Sequence, residues 1–234
     1  MFTPLAPSCQ GRLNSRHRGC KCGIRLGGRL RCHNLARRLP PGRKRRHARL
    51  PKQHSAAALS LFGELALPVN KDAFEAGVIW FSDKAELIHP FMKVTSLVTH
   101  ARALNADDVD GYTNITSALE LSSRIIKEAL GKSAPAGVRY VRPLVVLMSD
   151  GAHNEGPSPL PAADSLKQMA DILTVAFGAD ADDQMLTALA TEQLNVRCRT
   201  GAELRCYFAE IGRTLTITRA AGVNFTASLV SKPE

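Results

Sequence analysis

Two patterns of apolar residues alternate along the chain after residue 55. Short continuous runs predict buried strands, and longer segments with apolar residues every three or four positions predict amphipathic helices. The predicted strands are Ala76–Ser82, Ala85–Phe91, Pro143–Met148, Asp171–Gly178 and Asn195–Cys198. The predicted helices are Ala56–Leu67, Ser96–Leu104, Asn114–Leu130, Ala163–Ala170, a helix capped by Asp182 or Asp183 that reaches Thr191, and a helix from a Thr200/Glu203 capping box toward Leu215. This alternation predicts an α/β sandwich with a mostly parallel sheet.

Two of the strands carry a more specific expectation about their place in the sheet. The uninterrupted apolar run Pro143–Met148 is typical of a central parallel strand. Pro90, inside Ala85–Phe91, lacks a backbone N–H and therefore predicts an edge strand or the end of one.

The first 54 residues differ in composition from the rest. They hold 15 of the 31 basic residues and no acidic residue, whereas residues 55–234 hold 16 basic and 21 acidic residues, a net charge of −5. Only nine of the 54 are Val, Ile, Leu or Phe, too few to offset the entropy of ordering. We therefore predict a basic, disordered arm over residues 1–54, a folded domain over residues 55–220 and a C-terminal tail over residues 221–234.

Four interpretations of the arm remain open. A solvated basic tail would contact nucleic-acid phosphates non-specifically. A mitochondrial transit peptide would also be rich in Arg, but Pro40–Gly42 interrupts any amphipathic helix. Cys20, Cys22, Cys32 and His33 are potential zinc ligands, yet their spacing matches no common zinc finger. The fourth interpretation is a segment encoded out of frame, since a GC-rich gene read in the wrong frame yields Arg, Pro, Gly, Cys and His without acids.

Several classes of protein are disfavoured by what the sequence lacks. No apolar run approaches the roughly 20 residues that span a bilayer, and no apolar core of a secretory signal is present near the start. Only two cysteines, Cys198 and Cys206, follow the arm, which fits a reducing compartment better than a disulfide scaffold. We therefore predict a cytoplasmic protein without a membrane partner.

Motifs that would indicate an enzyme are also missing. The chain has no G-x-G-x-x-G after a strand, no P-loop and no G-x-S-x-G nucleophile elbow. His153, three residues after Asp150, is a conceivable general base, but a loop histidine is more often merely solvated. Cys198 and Cys206 are expected to pack rather than react. The sequence thus favours a protein that is not an enzyme.

Polar residues occur at two places where ligands bind in such sheets, beyond the C-terminal ends of the strands. Gly111–Asn114 opens the long helix, and Ser149–Gly151 closes the strand Pro143–Met148. Each also has an ordinary structural interpretation. Thr113 is a potential helix cap, and Asp150–Gly151 is a common turn sequence.

Five fragments follow one another along the chain: Gly77–Ser82 followed by Asp83–Ala85, Gly111–Leu119, Leu147–Gly151, Val175–Gly178 and Phe208–Leu215. Their order and spacing make residues 56–218 resemble the von Willebrand factor type A (vWA) domain. The last fragment is most similar to cytoplasmic bacterial members such as the TerY-like group associated with tellurite resistance. The resemblance implies a three-layer, Rossmann-like sandwich.

The resemblance also implies a metal-ion-dependent adhesion site (MIDAS) that holds Mg²⁺ and binds a carboxylate of a protein partner. By the family pattern, Thr113 is the threonine ligand and Asp150 the acidic ligand, commonly through a water. The family's Asp-x-Ser-x-Ser motif, at the end of the first strand, is missing, because residues 1–54 contain no Asp. We therefore predict a sheet that is incomplete at its first strand, poor solubility, and a degenerate site without measurable Mg²⁺ affinity.

The function that follows is a protein-protein interaction module, metal-assisted in the family. Two alternatives remain: a nucleic-acid-associated protein that acts through residues 1–54, or an uncharacterised α/β enzyme.

Overall fold

The computed structural model describes residues 50–71, 73–100, 112–132, 141–222 and residue 225. The helices are α1 (Leu50–Leu65), α2 (Val94–His100), α3 (Ile115–Leu130), α4 (Leu160–Lys167), α5 (Asp183–Leu189) and α6 (Gly201–Ala221). The strands are β1 (Glu75–Phe81), β2 (Ala85–Lys93), β3 (Leu144–Ser149), β4 (Asp171–Phe177) and β5 (Asn195–Cys198). The predictions for residues 1–49, for the end of the predicted helix at residues 101–104, for Gly111, and for tail residues 223, 224 and 226–234 lie outside the described residues.

Within the described residues, each predicted strand and helix after residue 55 has a counterpart, with the largest differences at helix ends. Helix α1 begins at Leu50, six residues before the predicted start, because Pro51 suits the first turn of a helix. Helix α6 continues to Ala221, well past the predicted Leu215, and ends where Gly222 adopts a left-handed conformation with φ of 70°.

Strands β3, β4 and β5 form a parallel sheet in that order. All seven residues of β4 are buried, whereas β3 lies at one edge of this sheet and is only partly buried. The parallel direction of β3 is confirmed, but its predicted central place is wrong within the described residues. A continuous apolar run indicates that both faces of a strand are covered. It does not indicate whether the strand has one neighbour or two in the sheet.

Strands β1 and β2 form a separate antiparallel pair. Most of β2 faces solvent at least in part, and it contains Pro90. The prediction of an edge strand is therefore confirmed.

The two sheets lie in one layer between two apolar clusters. Alternate residues of β1 and β3 pack against the first cluster, which is built mainly from α1, α6 and β4; they are Ala76, Val78, Trp80, Leu144, Val146 and Met148. Other residues of the same strands pack with α3, α4 and α5 in the second cluster; they include Phe81, Val145 and Leu147. Helices thus cover both faces of the layer, which makes a three-layer α/β sandwich, as predicted.

The described residues contain no hydrogen-bonded strand pair that joins the two sheets. Strands β1 and β3 nevertheless end at the same place, since the loops that follow them both contact the start of α3. That shared edge carries the candidate site.

Candidate functional site

Thr113 and the turn after β3 are brought together at the edge where the strands end. A Cβ atom added to Gly151 would lie 3.3 Å from Thr113 Oγ1, so the threonine hydroxyl lies against the residue that follows Asp150. Both Thr113 and Asp150 are partly buried. The structure therefore places the two predicted metal ligands at one edge of the sheet, although their role as ligands stays a prediction.

Backbone contacts hold Thr113 in this place. Its N–H donates to Asn154 Oδ1 at 2.7 Å, and Asn154 N–H donates back to the Thr113 carbonyl at 3.1 Å. Asn154 lies in the loop after Asp150, so the segments that contain the two predicted ligands are hydrogen-bonded to each other. Sequence analysis did not identify Asn154, because an asparagine in a polar loop carries no periodic signal.

Asn114, and not Thr113, is the N-cap of α3. Asn114 Oδ1 accepts a hydrogen bond from Ser117 N–H at 2.9 Å. The structural alternative considered for Thr113, a helix cap, is therefore wrong. The Thr113 hydroxyl is left beside Gly151 because the helix begins one residue later than a Thr113 cap would require.

His153 joins the loop to α3 and is not a freely solvated residue. Its Nδ1 accepts from Ile115 N–H at 3.2 Å, and its Nε2 is 3.0 Å from the Pro157 carbonyl oxygen. Ile115 is the first residue of the helix, so the ring satisfies one of the backbone N–H groups that a helix start leaves without partners. The expectation of a merely solvated histidine is wrong, and these contacts occupy both ring nitrogens.

His54 is a third side chain near the site, and sequence analysis missed it. Its ring lies edge-on to Phe177 with centroids 5.5 Å apart, and its Nε2 is buried without a hydrogen-bond partner. Burial lowers the pKa of His54, and the negative charge of Asp150 partly opposes that shift. His54 was assigned to the arm by its composition, whereas the fold places it on the first turns of α1.

The described residues offer two of the ligands that the resemblance implies for a divalent ion. Mg²⁺ requires about six oxygen ligands in an octahedron, and Thr113 and Asp150 supply two side chains. The described residues contain no group of three or more His, Cys, Asp or Glu side chains that could hold a metal ion. The geometry of the described residues thus provides a polar edge with two potential oxygen ligands, Thr113 and Asp150.

Two further expectations concern cysteines and membranes. Cys198 and Cys206 are both buried, and neither forms a disulfide within the described residues, as expected for cysteines that pack. None of the helices in the described part of the chain is long and apolar enough to cross a bilayer.

The family model of the von Willebrand factor type A domain matches residues 52–204, well over half of the chain. No curated protein sequence matches the chain. The match begins at α1, next to the residues of the candidate site.

Solved structures with the same fold come from different kinds of organism. The chain is similar to proximal thread matrix protein 1 from the mussel byssus, at 18% identity and a TM-score of 0.57, over 70% of this chain and 44% of that protein. One structure of the mussel protein has a zinc-occupied MIDAS motif. A von Willebrand factor type A protein from Catenulispora acidiphila gives 17% identity and a TM-score of 0.59, over 71% and 38% of the two chains.

A third neighbour is the pilus adhesin SpaC from Lactobacillus rhamnosus GG, at 11% identity and a TM-score of 0.60, over 72% and 28% of the chains. The chain thus spans less than half the length of each of these three proteins. At these identities the likeness establishes the fold alone.

Proposed function

Because the chain belongs to the von Willebrand factor type A family, we propose that it is a non-catalytic protein-interaction module whose binding surface is the edge with Thr113 and Asp150. The observation that carries the proposal is the placement of Thr113 against the turn that contains Asp150, two segments far apart in sequence. Loops at the end of a covered sheet are accessible and are positioned by the rigid scaffold beneath them, which suits the binding of a partner.

We further propose that the metal site is degenerate, so that the chain does not hold Mg²⁺ unaided. The absence of any group of three or more His, Cys, Asp or Glu side chains among the described residues supports this proposal. Without a cation, Asp150 would repel the carboxylate that the family's partners supply to the metal. The partner contact in this chain would then depend on exposed apolar and neutral polar groups.

Titration calorimetry tests the metal part of the proposal. We expect no saturable heat when Mg²⁺ is added to the full chain at millimolar concentration, because two ligands leave most of the coordination sphere to water. The Asp150→Ala variant is the control for dilution and non-specific heat. Millimolar or tighter binding that disappears in both Asp150→Ala and Thr113→Ala would overturn the degenerate site.

Tyr112 is a suitable residue for testing the interaction surface. It precedes Thr113 and is 59% exposed, and exposed aromatic residues often dominate binding energy at protein interfaces. Val69 is a matched control, since it is 67% exposed but follows the far end of α1, the helix that begins near Asp150.

The experiment compares proteins from the native cell extract that bind the wild-type chain, Tyr112→Ala and Val69→Ala, each with and without a chelator. We expect a partner that is lost with Tyr112→Ala, retained with Val69→Ala and unaffected by the chelator. Equal recovery by both variants would contradict the proposed surface. Loss on chelation would show that a divalent ion is required after all.

The finer assignments made from the sequence stay proposals. They are the TerY-like subtype, the link with tellurite resistance and the cytoplasmic location. Nucleic-acid binding is the second candidate function, favoured by the 15 basic residues and the absence of acids in residues 1–54. Deleting residues 1–49, which leaves α1 intact, would test it: a salt dependence of DNA binding that the deletion does not change would exclude the arm.

A further inference from the structure

A groove with a volume of about 640 Å³ lies between α3 and the start of α4. We call it the α3–α4 groove. Its α3 wall carries the charged side chains of Glu120, Arg124 and Lys127. The opposite wall consists of Pro, Ser and Ala side chains between Pro157 and Ser165. All the charges of the groove therefore lie on one helix.

One end of the groove adjoins the edge with Thr113 and Asp150. The Thr116 hydroxyl donates to the Pro157 carbonyl at this end, which joins the first turn of α3 to the turn before α4. Because Lys127 lies in the last turn of α3, the groove follows that helix away from the edge. A partner segment bound at the edge can therefore continue into the groove.

The two cations of the groove have no anionic partner in the described part of the chain. Arg124 has Glu120 and Glu128 one turn away in either direction, a spacing at which ion pairs often form. It nevertheless forms a salt bridge with neither, and the Lys127 side chain forms none either. Both positive charges are therefore available to a ligand.

Two hydroxyl groups of the groove also have unused hydrogen-bonding capacity. Ser123 Oγ is buried and has no hydrogen-bond partner among the described residues. Ser158 Oγ accepts from Leu160 N–H at 3.5 Å, so its own proton is left for another acceptor. A carboxylate accepts bonds from hydroxyl groups and pairs with Arg and Lys. The hydroxyls and the cations together favour an anionic ligand.

We propose that the α3–α4 groove binds an acidic segment of the protein partner, with two carboxylates against Arg124 and Lys127; this inference rests on the interaction module proposed above. Glu120 lies one turn before Arg124 and would repel a third carboxylate, so a basic residue of the partner fits there. About three residues of extended chain cover the roughly 10 Å between Glu120 and Lys127 along the helix. The acidic residues thus lie away from Asp150, whose charge would repel them.

The charges and the shape of the groove disfavour two other occupants. Residues 1–49 contain no Asp or Glu, so this segment of the chain has the same sign of charge as Arg124 and Lys127. A small anion such as inorganic phosphate would contact the two cations and leave the uncharged wall between Pro157 and Ser165 without a partner. An acidic peptide contacts both walls.

Fluorescence anisotropy with a labelled peptide and the full chain tests the proposal. The probe is a synthetic peptide with Lys, Glu and Glu at alternate positions separated by Ser, so that the three charges face one side of an extended backbone. The double variant Arg124→Gln/Lys127→Gln removes both positive charges and keeps long polar side chains. We expect its affinity for the peptide to be at least about threefold lower than that of the wild type at low ionic strength.

The matched control is Arg205→Gln/Arg219→Gln on α6, a helix that packs on the other face of the layer. Both arginines are exposed, and the net charge changes by the same amount, so this control measures binding by overall charge or by residues 1–49. We expect it to bind the peptide as the wild type does. Equal affinities of the two double variants, or no saturable binding to the wild type, would overturn the proposal. Displacement of the peptide by an equimolar amount of inorganic phosphate would also overturn it, because a small anion would then suffice.

Glu120 tests the order of charges along the groove. A second peptide has Gln in place of Lys, and the measured quantity is the ratio of the two peptide affinities. We expect Glu120→Gln to shift this ratio by about twofold in favour of the Gln peptide, because the attraction between Glu120 and the lysine is lost. An unchanged ratio would overturn the proposed placement of the segment.

The groove and the edge with Thr113 fail independently. Tyr112→Ala should leave peptide binding unchanged, since Tyr112 does not line the groove. If Tyr112→Ala loses the native partner and Arg124→Gln/Lys127→Gln retains it, the edge is the interaction surface and the groove is wrong. If both peptide tests give the expected result and Tyr112→Ala still retains the partner, the groove stands and the proposed edge is wrong.

Discussion

Asn114 contributes more hydrogen bonds to the candidate site than either predicted metal ligand. Its Oδ1 caps α3 through Ser117 N–H, its Nδ2 donates to the Asp83 carbonyl at 3.0 Å, and its backbone N–H donates to the Ser82 carbonyl at 2.6 Å. One side chain therefore fastens the end of β1 to the start of α3. Asn114 also determines the position of Thr113, because Asn114 caps the helix and Thr113 therefore precedes the cap.

Substitution of Asn114 tests this role through stability. Asn114→Ala removes the cap and the bond to Asp83, so we expect the free energy of unfolding to fall by about 1–2 kcal/mol. Asn114→Ser keeps a cap acceptor and should lose less. Urea unfolding with circular dichroism measures both. An alanine variant as stable as the wild type would show that the cap is not needed.

Helices α1 and α6 cross where Gly212 leaves room for a close approach. A Cβ atom at Gly212 would lie 2.7 Å from Glu64 Cβ and 3.1 Å from the Leu61 carbonyl oxygen, both closer than normal contacts. The crossing positions α1 over the strands and thereby sets where His54 lies. The spacing of these two helices therefore affects the candidate site from a distance.

Two glycine substitutions separate helix propensity from packing at this crossing. Gly212→Ala should lower the free energy of unfolding by about 1–3 kcal/mol, because the helices must move apart. Gly63→Ala is the matched control: no atom lies within 4 Å of its added Cβ, so alanine should stabilise α1 by about 0.5 kcal/mol. Thermal and urea unfolding measure both effects. Stabilisation by both substitutions would mean that the two helices accommodate a methyl group at Gly212 without moving apart.

The first apolar cluster makes the stability of the molecule depend on α6, which contributes Leu204, Phe208 and Ile211. Tyr207 packs against the first cluster from α6, in the electrostatic range of Cys198 at the end of β5. Burial, with a smaller contribution from the charge of Cys198, raises the pKa of Tyr207 to about 12. The neutral phenol is therefore favoured in the folded state.

The raised pKa of Tyr207 predicts how global stability depends on pH. The unfolded state releases the phenolic proton near pH 10, whereas the folded state retains it up to about pH 12. The contribution of Tyr207 is fully present below pH 10 and is lost as the pH rises from 10 to 12. Urea unfolding across this interval should therefore show a steeper loss of stability in the wild type than in Tyr207→Phe. Parallel curves for the two proteins would contradict the pKa shift.

The predicted elements could be read from the sequence because each depends on neighbouring residues. The apolar runs of β4 and the period of α3 reflect burial that is repeated every two or every three to four residues. The capping pair Thr200 and Glu203 was predicted for the same reason: Glu203 N–H donates to Thr200 Oγ1 at 3.2 Å. The Glu203 side chain, however, accepts from Arg199 N–H, one residue before the cap.

The candidate site could be predicted only in part. Thr113 and Asp150 were identified through a family resemblance, and nothing in their local sequence requires them to be close. His54 was missed because its neighbours are basic and polar, although α1 carries it to Phe177. Asn154 was missed because its partner, the backbone of Thr113, is 41 residues away in the chain.

The amino-acid sequence alone determines the order of strands and helices and the parallel direction of β3–β5. It also determines that a basic segment precedes a part of the chain with a net negative charge. They follow from the local period of burial and from composition, which need no knowledge of distant contacts. The fold was needed to show that β3 is the outer strand of the three-stranded sheet in the described part of the chain, that two sheets share one layer, and that Thr113 lies against the turn of Asp150. These features depend on contacts between residues far apart in the chain, and such contacts leave no periodic pattern in the sequence.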